Sequence, residues 1–254
     1  NERTRPNRKA VDALLARVYL YHGDWADAEA TADKVIGDNR YELSRDLNTV
    51  FLKTSKEAIW QLQTVNLSTA GVNTWEGFSI VPAVATARSY YQLYDATVAA
   101  YEENDLRKSQ WLKSYVVNNK TLYMPYKYKL RTATPVAEYN TVLRLAEQYL
   151  IRAEARLNQN KLQAALQDIN QIRERAGLAA LPQTLDKAAI ALALEKERQL
   201  ELLGEWGHRW FDLVRTNRAL PVLSKVKTDF SQSDTKIPIA SAILLTNGNL
   251  QQND

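Results

Sequence analysis

The sequence predicts a mainly α fold of helical hairpins, with a few short strands and long loops. Three observations lead there. Two stretches, at about 8–37 and 143–177, each read as helix, turn, helix. A run at 58–63 alternates in strand fashion, and the stretch 64–88 has no helical period at all. Residues 1–254 are expected to form a single region.

In the first hairpin, apolar residues recur through Leu14, Leu15, Val18 and Leu20, and Gly23 with Asp24 marks a turn. Ala28 and Ala32 then put small residues where two helices approach closely. The second hairpin repeats the logic, with Ala153 in the place of Ala16 and Ala165 in that of Ala28. Asn160 followed by Gln163 reads as a capping box, Asp24 with Asp27 as a weaker one, and Gly37 and Gly177 close the two hairpins. The pattern resembles tetratricopeptide hairpins. A free-standing array of these needs about three stacked repeats, so two separated units are expected to pack on something else in the chain.

Between the hairpins the pattern changes. In the strand at 58–63, Trp60 and Leu62 fall on one face. In 64–88, Gly71, Gly77 and Pro82 cluster with Asn, Ser and Thr, which marks a long loop, and loops of that length are usually functional or disordered. This loop carries Trp75 and Phe78, which a merely solvated segment has little reason to contain. From 90 to 101 the chain reads as a helix, with Tyr94, Val98 and Tyr101 along one side. The run 123–129 reads as an edge strand, because Pro125 has no N–H for a ladder, with Tyr126 and Tyr128 on one face.

The most informative segment is 195–216. Glu197, Glu201 and Glu205 fall at i, i+4 and i+8, one stripe of a helix, while Leu194, Leu202 and Leu203 face elsewhere. Gly207 supplies a backbone free to adopt positive φ, ending the helix and turning the chain. Trp206 and Trp210 flank that corner and are expected to be buried, and Arg209, Asp212 and Arg215 are spaced to form an ion-pair ladder with the acidic stripe. A structural corner is the preferred reading over a ligand site.

Glu197, Arg198, Glu201 and Leu202, followed by Gly207-His-Arg-Trp-Phe-Asp-Leu-Val-Arg-Thr216, resemble the C-terminal signature of the SusD/RagB family. Other blocks agree in order. Glu57, Ile59, Trp60 and Gln63 resemble the family's E-x-I-(F/W)-x-x-Q segment, and Asn104-Asp105-Leu106-Arg107 its G-D-x-R turn, with an asparagine that tolerates a left-handed backbone. Arg144, Ala146, Glu147, Tyr149, Leu150, Ile151, Ala153, Glu154 and Ala155 match its second hairpin. Ile237-Pro238, then Asn247, Leu250, Gln252 and Asn253, match its ending, with Gly248 replacing a proline.

The resemblance implies a SusD-like tetratricopeptide scaffold and a nutrient-binding lipoprotein of the outer membrane. Such a protein captures an oligosaccharide, or in some branches a peptide, and delivers it to a TonB-dependent (SusC-like) transporter. It further implies a lipid anchor on the cell-surface side, carried by an N-terminal segment outside this sequence, so that the chain reads as the C-terminal part of a member. The helix at 9–21 has apolar residues on several sides, at Val11, Leu14, Leu15, Val18 and Leu20, and that segment is expected to cover the remainder.

Composition narrows the chemistry. The chain is 45% hydrophobic and 24% charged, with no run near the roughly 20 apolar residues of a membrane-spanning helix. Its 33 Lys and Arg are scattered among 29 acids, so a nucleic-acid footprint is not expected. Zero cysteines exclude disulfides, thiol catalysis and cysteine-zinc sites, and two histidines are too few for a histidine-built metal centre. No enzyme motif occurs. Glu76, Glu102 and Glu103 are the carboxylates a glycosidase reading would invoke, and Glu102 with Glu103 reads more simply as a solvated helix end. No enzyme activity and no cofactor are expected.

Sugars present apolar C–H faces between hydroxyls, so their sites want flat aromatic rings beside amides or charges. The chain holds 13 Tyr and 6 Trp against 4 Phe, a bias toward aromatics with polar handles. The ligand-binding candidates are Asn73, Trp75, Glu76 and Phe78 in the long loop, with Tyr123 and Tyr126 further on. Trp75 reads equally as a plug fixing the loop to the scaffold, and the two tyrosines as strand packing. The alternative for the whole chain is a tetratricopeptide adaptor gripping a peptide.

Overall fold

The computed structural model describes residues 2–65, 71–84 and 87–253. They divide into two compact units, Asn1–Trp206 and Gly207–Asp254. In the first unit the order is α1 (Arg8–His22), α2 (Trp25–Ile36), β1 (Ala58–Leu62), α3 (Trp75–Ile80), α4 (Asp95–Ala99) and α5 (Leu106–Trp111). There follow β2 (Leu112–Val117), β3 (Lys120–Pro125), β4 (Asn140–Arg144), α6 (Leu145–Asn158), α7 (Leu162–Arg175) and α8 (Lys187–Glu201). The fold is mainly α, with tetratricopeptide-like hairpins and few short strands.

The hairpins α1–α2 and α6–α7, far apart in sequence, stack on one another, with α2 against α6 and α8 closing the layer on α6 and α7. Small residues make this possible. Ala16, Ala28, Ala32 and Ala155 meet Leu20 and Ile151 at the seam, while Leu150, Ala153, Leu166, Ile169, Ile190 and Leu194 fill the space under α8. The hairpins are thus partners of each other, and α8 supplies surface that two hairpins lack.

The expected capping boxes do not form. Asn160 adopts φ 60 ahead of α7, and its side-chain oxygen accepts from Lys187 Nζ at 2.8 Å. The Asp24 carboxylate meets His22 at 2.8 Å and gives α2 no cap bond. Gly37 keeps an ordinary φ of −75, whereas Gly23 and Gly177 are left-handed as a helix terminus requires.

β1 pairs antiparallel with β4, and β2 with β3 across a two-residue turn at Asn118 and Asn119, both at positive φ. The expected strand at 123–129 stops at Pro125, so Tyr126 and Tyr128 share no strand face. Tyr128 instead packs on Phe51, and its hydroxyl accepts from Thr141 N at 2.9 Å. The expected helix at 90–101 shrinks to α4. The Leu93 N–H is engaged by the Tyr123 carbonyl at 2.8 Å, and Tyr94 remains extended. Asn104 is not among the positive-φ residues, and the turn is fixed by Asp105, which caps α5 through Arg107 N at 2.9 Å.

The acidic stripe is buried, and the partners it finds come from other segments. Arg144 reaches Glu57 at 2.9 Å, Glu201 at 2.6 Å and Glu205 at 2.8 Å. Arg107 bonds Asp105 and Glu197, each at 2.8 Å, and Arg175 joins Glu57 at 2.7 Å and also Glu201. Lys127, pushed down to about 8 by burial, lies 4.6 Å from the Trp111 ring centre and donates to the Glu201 carbonyl at 2.7 Å. Helix α8 ends at Glu201, so Glu205 belongs to the following turn and not to the helical stripe. In that turn Gly204 and Trp206 take positive φ, and Trp206 is 44% exposed rather than buried, its indole N–H donating to the Thr141 carbonyl at 2.7 Å.

In the second unit, Gly207 at φ 72 opens α9 (His208–Arg215) rather than ending α8. Helices α10 (Ala219–Leu223) and α11 (Ser241–Thr246) follow. Trp210 is half-buried and meets Phe230 edge-on at 6.5 Å, and Asp212 pairs with Arg215 at 2.8 Å. The tail folds back on itself. The Gln252 amide bonds Ile239 N at 2.7 Å and Ile239 O at 3.0 Å, and Asn253 donates to the Ile237 carbonyl at 2.6 Å. The Ile-Pro segment and the Gln-Asn ending are therefore two halves of one clasp.

Candidate functional site

Of the loop at 64–88, residues 66–70 and 85–86 lie outside the described residues. The rest is not structureless, since 75–80 forms α3. Thr74 caps it, its hydroxyl accepting from Gly77 N at 2.9 Å. Gly77 is required by a close approach, because a Cβ there would stand 2.6 Å from the Leu130 carbonyl. An antiparallel bridge from Val72 to Thr132 adds a second attachment to the segment after β3.

Asn73 is the hinge of this arrangement and is fully buried. Its NH2 donates to the carbonyls of Gly71 at 2.9 Å and Ala133 at 3.2 Å, while its oxygen accepts from the N–H groups of Ala137 at 2.7 Å and Glu138 at 3.0 Å. The amide is saturated by backbone and has nothing left for a ligand, which corrects the expectation that it bonds sugar hydroxyls. Glu138 beside it is pushed up by burial, against the N–H groups of Lys129 and Leu130 that it accepts.

Trp75, the first residue of α3, is 54% exposed. Its ring stands edge-on to Phe78, with centres 5.6 Å apart at 87°. Phe78 is also fixed by Arg131, whose guanidinium lies 4.0 Å from the ring centre and donates to the carbonyls of Phe78 and Val81. Glu76 accepts from the Asn140 amide at 2.5 Å, which ties α3 to β4. The remaining carboxylate oxygen, Glu76 Oε2, and the amide oxygen Asn140 Oδ1 are buried without a hydrogen-bond partner among the described residues. The structure thus gathers Trp75, Glu76 and Phe78 on one short helix, with Trp75 more than half exposed.

Tyr123 and Tyr126 lie on a different part of the first unit. Tyr123 is half-buried against Leu200 and Tyr101, and borders an open groove shared with α5. Tyr126 has the ammonium groups of Lys113 and Lys129 over its ring at 5.0 and 5.3 Å, so a ligand would compete there with two cations. Sequence reasoning missed a group of exposed tyrosines, Tyr90 at 91%, Tyr91 at 52% and Tyr94 at 53%. The segment bearing them is pinned at Ser89, whose hydroxyl donates to Ile80 O at 2.8 Å, and at Leu93. The available signal was three tyrosines within five residues, but the helical reading stacked Tyr94 with Val98 and Tyr101 and gave Tyr90 and Tyr91 no role.

Among the described residues no group of three His, Cys, Asp or Glu side chains is placed to hold a metal ion, and no helix is long and apolar enough to cross a membrane. Glu102 is held at about 2 chiefly by its bond to Arg173, with Lys196 adding to it, so it is a paired charge and not a freely solvated helix end.

A model of the SusD family matches residues 73–254. A SusD-like protein of Formosa agariphila is 30% identical over 173 residues, which is 64% of this chain and 31% of that protein. A solved SusD superfamily protein from Bacteroides vulgatus superposes with a TM-score of 0.80 at 21% identity, over 100% of this chain and 64% of the other. A surface glycan-binding protein from Bacteroides thetaiotaomicron, solved in complex with laminarihexaose, gives 0.73 at 22% identity, over 96% and 63%. The chain therefore spans about a third of the curated relative and less than two thirds of the solved ones.

Proposed function

The chain belongs to the SusD family, and from that premise we propose that it is the glycan-contacting part of a cell-surface nutrient-binding protein. In this reading it binds an oligosaccharide without transforming it and passes it to a TonB-dependent transporter of the outer membrane, on which the protein sits under a lipid anchor. A solved relative carrying laminarihexaose supports the ligand class. The observation that carries the reading is Trp75, an indole left 54% exposed on a helix fixed by Thr74, Gly77 and Asn73. A ring held so firmly and left half uncovered is preorganised for stacking on the C–H face of a sugar.

The test is calorimetry of Trp75→Ala in the full-length protein, against the oligosaccharide that its neighbouring transporter imports. Loss of one stacking ring should weaken binding by about tenfold or more, on the scale of 1–3 kcal/mol per stacked base. Unchanged affinity would remove α3 from the site.

A further inference from the structure

We propose a second carbohydrate-contacting site, separate from Trp75, in the groove between the β2–β3 hairpin and α5, extended along the surface by Tyr90, Tyr91 and Tyr94. It rests on the glycan-binding reading of the chain. The groove has a volume of about 620 Å³, within the range of small-ligand sites.

Strand register builds one wall. Ser114 stands opposite Tyr123 and Leu112 opposite Pro125, and alternation places Leu112, Ser114 and Tyr123 on the same face of the hairpin. Leu106, Lys108 and Ser109 form the other wall. That wall is rigid, because the neighbouring Arg107 is fully buried between Asp105 and Glu197. Gly177 also lines the groove with φ +77, and a Cβ there would come within 3.1 Å of Leu106 Cγ, so a side chain would press into the wall.

The lining selects a chemical class. Leu106, Leu112 and Tyr123 give an apolar surface, and Ser109 and Ser114 lie exposed at its edge. Glu103 and Lys108 carry opposite charges, which leaves no field of one sign to gather ions. An apolar surface edged by hydroxyls suits a neutral, flat-sided, hydroxyl-rich ligand, which is a sugar ring.

The tyrosines continue from the groove. The Tyr123 carbonyl accepts from Leu93 N, so Tyr94 is one residue from the groove's own wall, with Tyr90 and Tyr91 beyond it. Leu93 packs inward beside Tyr123 while its neighbours stay in solvent. Three exposed rings on a segment pinned at both ends mark an interaction surface. A linear polysaccharide lying in the groove and across the tyrosines would be held at several points, and its affinity would rise with chain length.

The test uses the full-length protein and a panel of neutral glucans, mannans, xylans and galactans, each as trisaccharide and as polymer. Ser114→Trp fills the groove from the strand wall, Ser109→Tyr fills it from the helix wall, and the double variant Tyr90→Ala/Tyr94→Ala removes rings outside it. Each should weaken binding of the polymer by roughly tenfold or more while the trisaccharide bound at Trp75 stays within about twofold. Melting temperatures should match the parent's. If all three variants bind polymer as the parent does while Trp75→Ala does not, this site is wrong and the glycan reading stands. Loss confined to variants that also melt early overturns it too. A parent that binds nothing in the panel sinks the glycan reading and this site together.

Discussion

Arg144 of β4 grips Glu201 at the end of α8 twice, through the carboxylate at 2.6 Å and through the backbone carbonyl at 2.6 Å. The same guanidinium reaches Glu57 and Glu205, so one arginine joins the approach to β1, the strand β4 and the turn after α8. These residues belong to three of the blocks by which the chain resembles its family. Their common role is to neutralise one another where water is excluded.

Glu201→Gln should therefore destabilise the first unit by about 3–5 kcal/mol, because it leaves Arg144 and Arg175 buried with less compensating charge. Urea unfolding measures this. A midpoint equal to the parent's would show that the network orders the interior without stabilising it.

The network also sets an acid limit. Burial alone would raise the Glu205 carboxyl, but Arg144 and Lys127 outweigh it and hold it at about 2, and Glu201 is held low in the same way. A folded pKa below the unfolded value of about 4.3 contributes stability that is present above that value and lost as pH falls through the folded one. Stability should hold from neutral pH to about 5 and decline from there toward 2. Urea midpoints across that range test it, and Glu205→Gln should flatten the decline.

Asn73 and Trp75 should separate stability from binding. Asn73→Ala strips the partners from two backbone N–H groups and two carbonyls, and should cost about 1–3 kcal/mol in thermal unfolding. Trp75→Ala should stay within about 0.5 kcal/mol of the parent, as surface changes do, while losing affinity. The reverse pattern would exchange their roles.

Val11, Leu14, Leu15 and Val18 form an exposed apolar stripe on α1. A stripe of that kind favours association, so the 254-residue chain should self-associate in sedimentation velocity, and Val18→Glu should make it more monodisperse. A parent already monodisperse at high concentration would contradict this.

Some of the site was legible in the sequence and some was not. Trp75 and Phe78 stood out because aromatic residues in a polar, glycine-punctuated stretch are locally anomalous. Asn73 shared that neighbourhood and was assigned the opposite of its role, since its four partners lie up to 65 residues away. Tyr90, Tyr91 and Tyr94 were lost to a helical spacing that the Leu93 bond to β3 overrides. Trp206 was expected inside, yet a left-handed corner turns part of its ring to solvent.

By itself the sequence determined the two hairpins, a strand beginning at Ala58, the positive φ of Gly207, and the family. All of these are written in spacing along a few turns of chain, where helical period, small residues and ordered motifs suffice. Only the tertiary structure decided that the hairpins stack on each other and that the acidic stripe is matched by Arg107, Arg144 and Arg175. It also decided which aromatic rings remain in water. Those outcomes depend on pairings between residues that no local period relates, and burial is a property of what lies opposite a side chain rather than of the side chain itself.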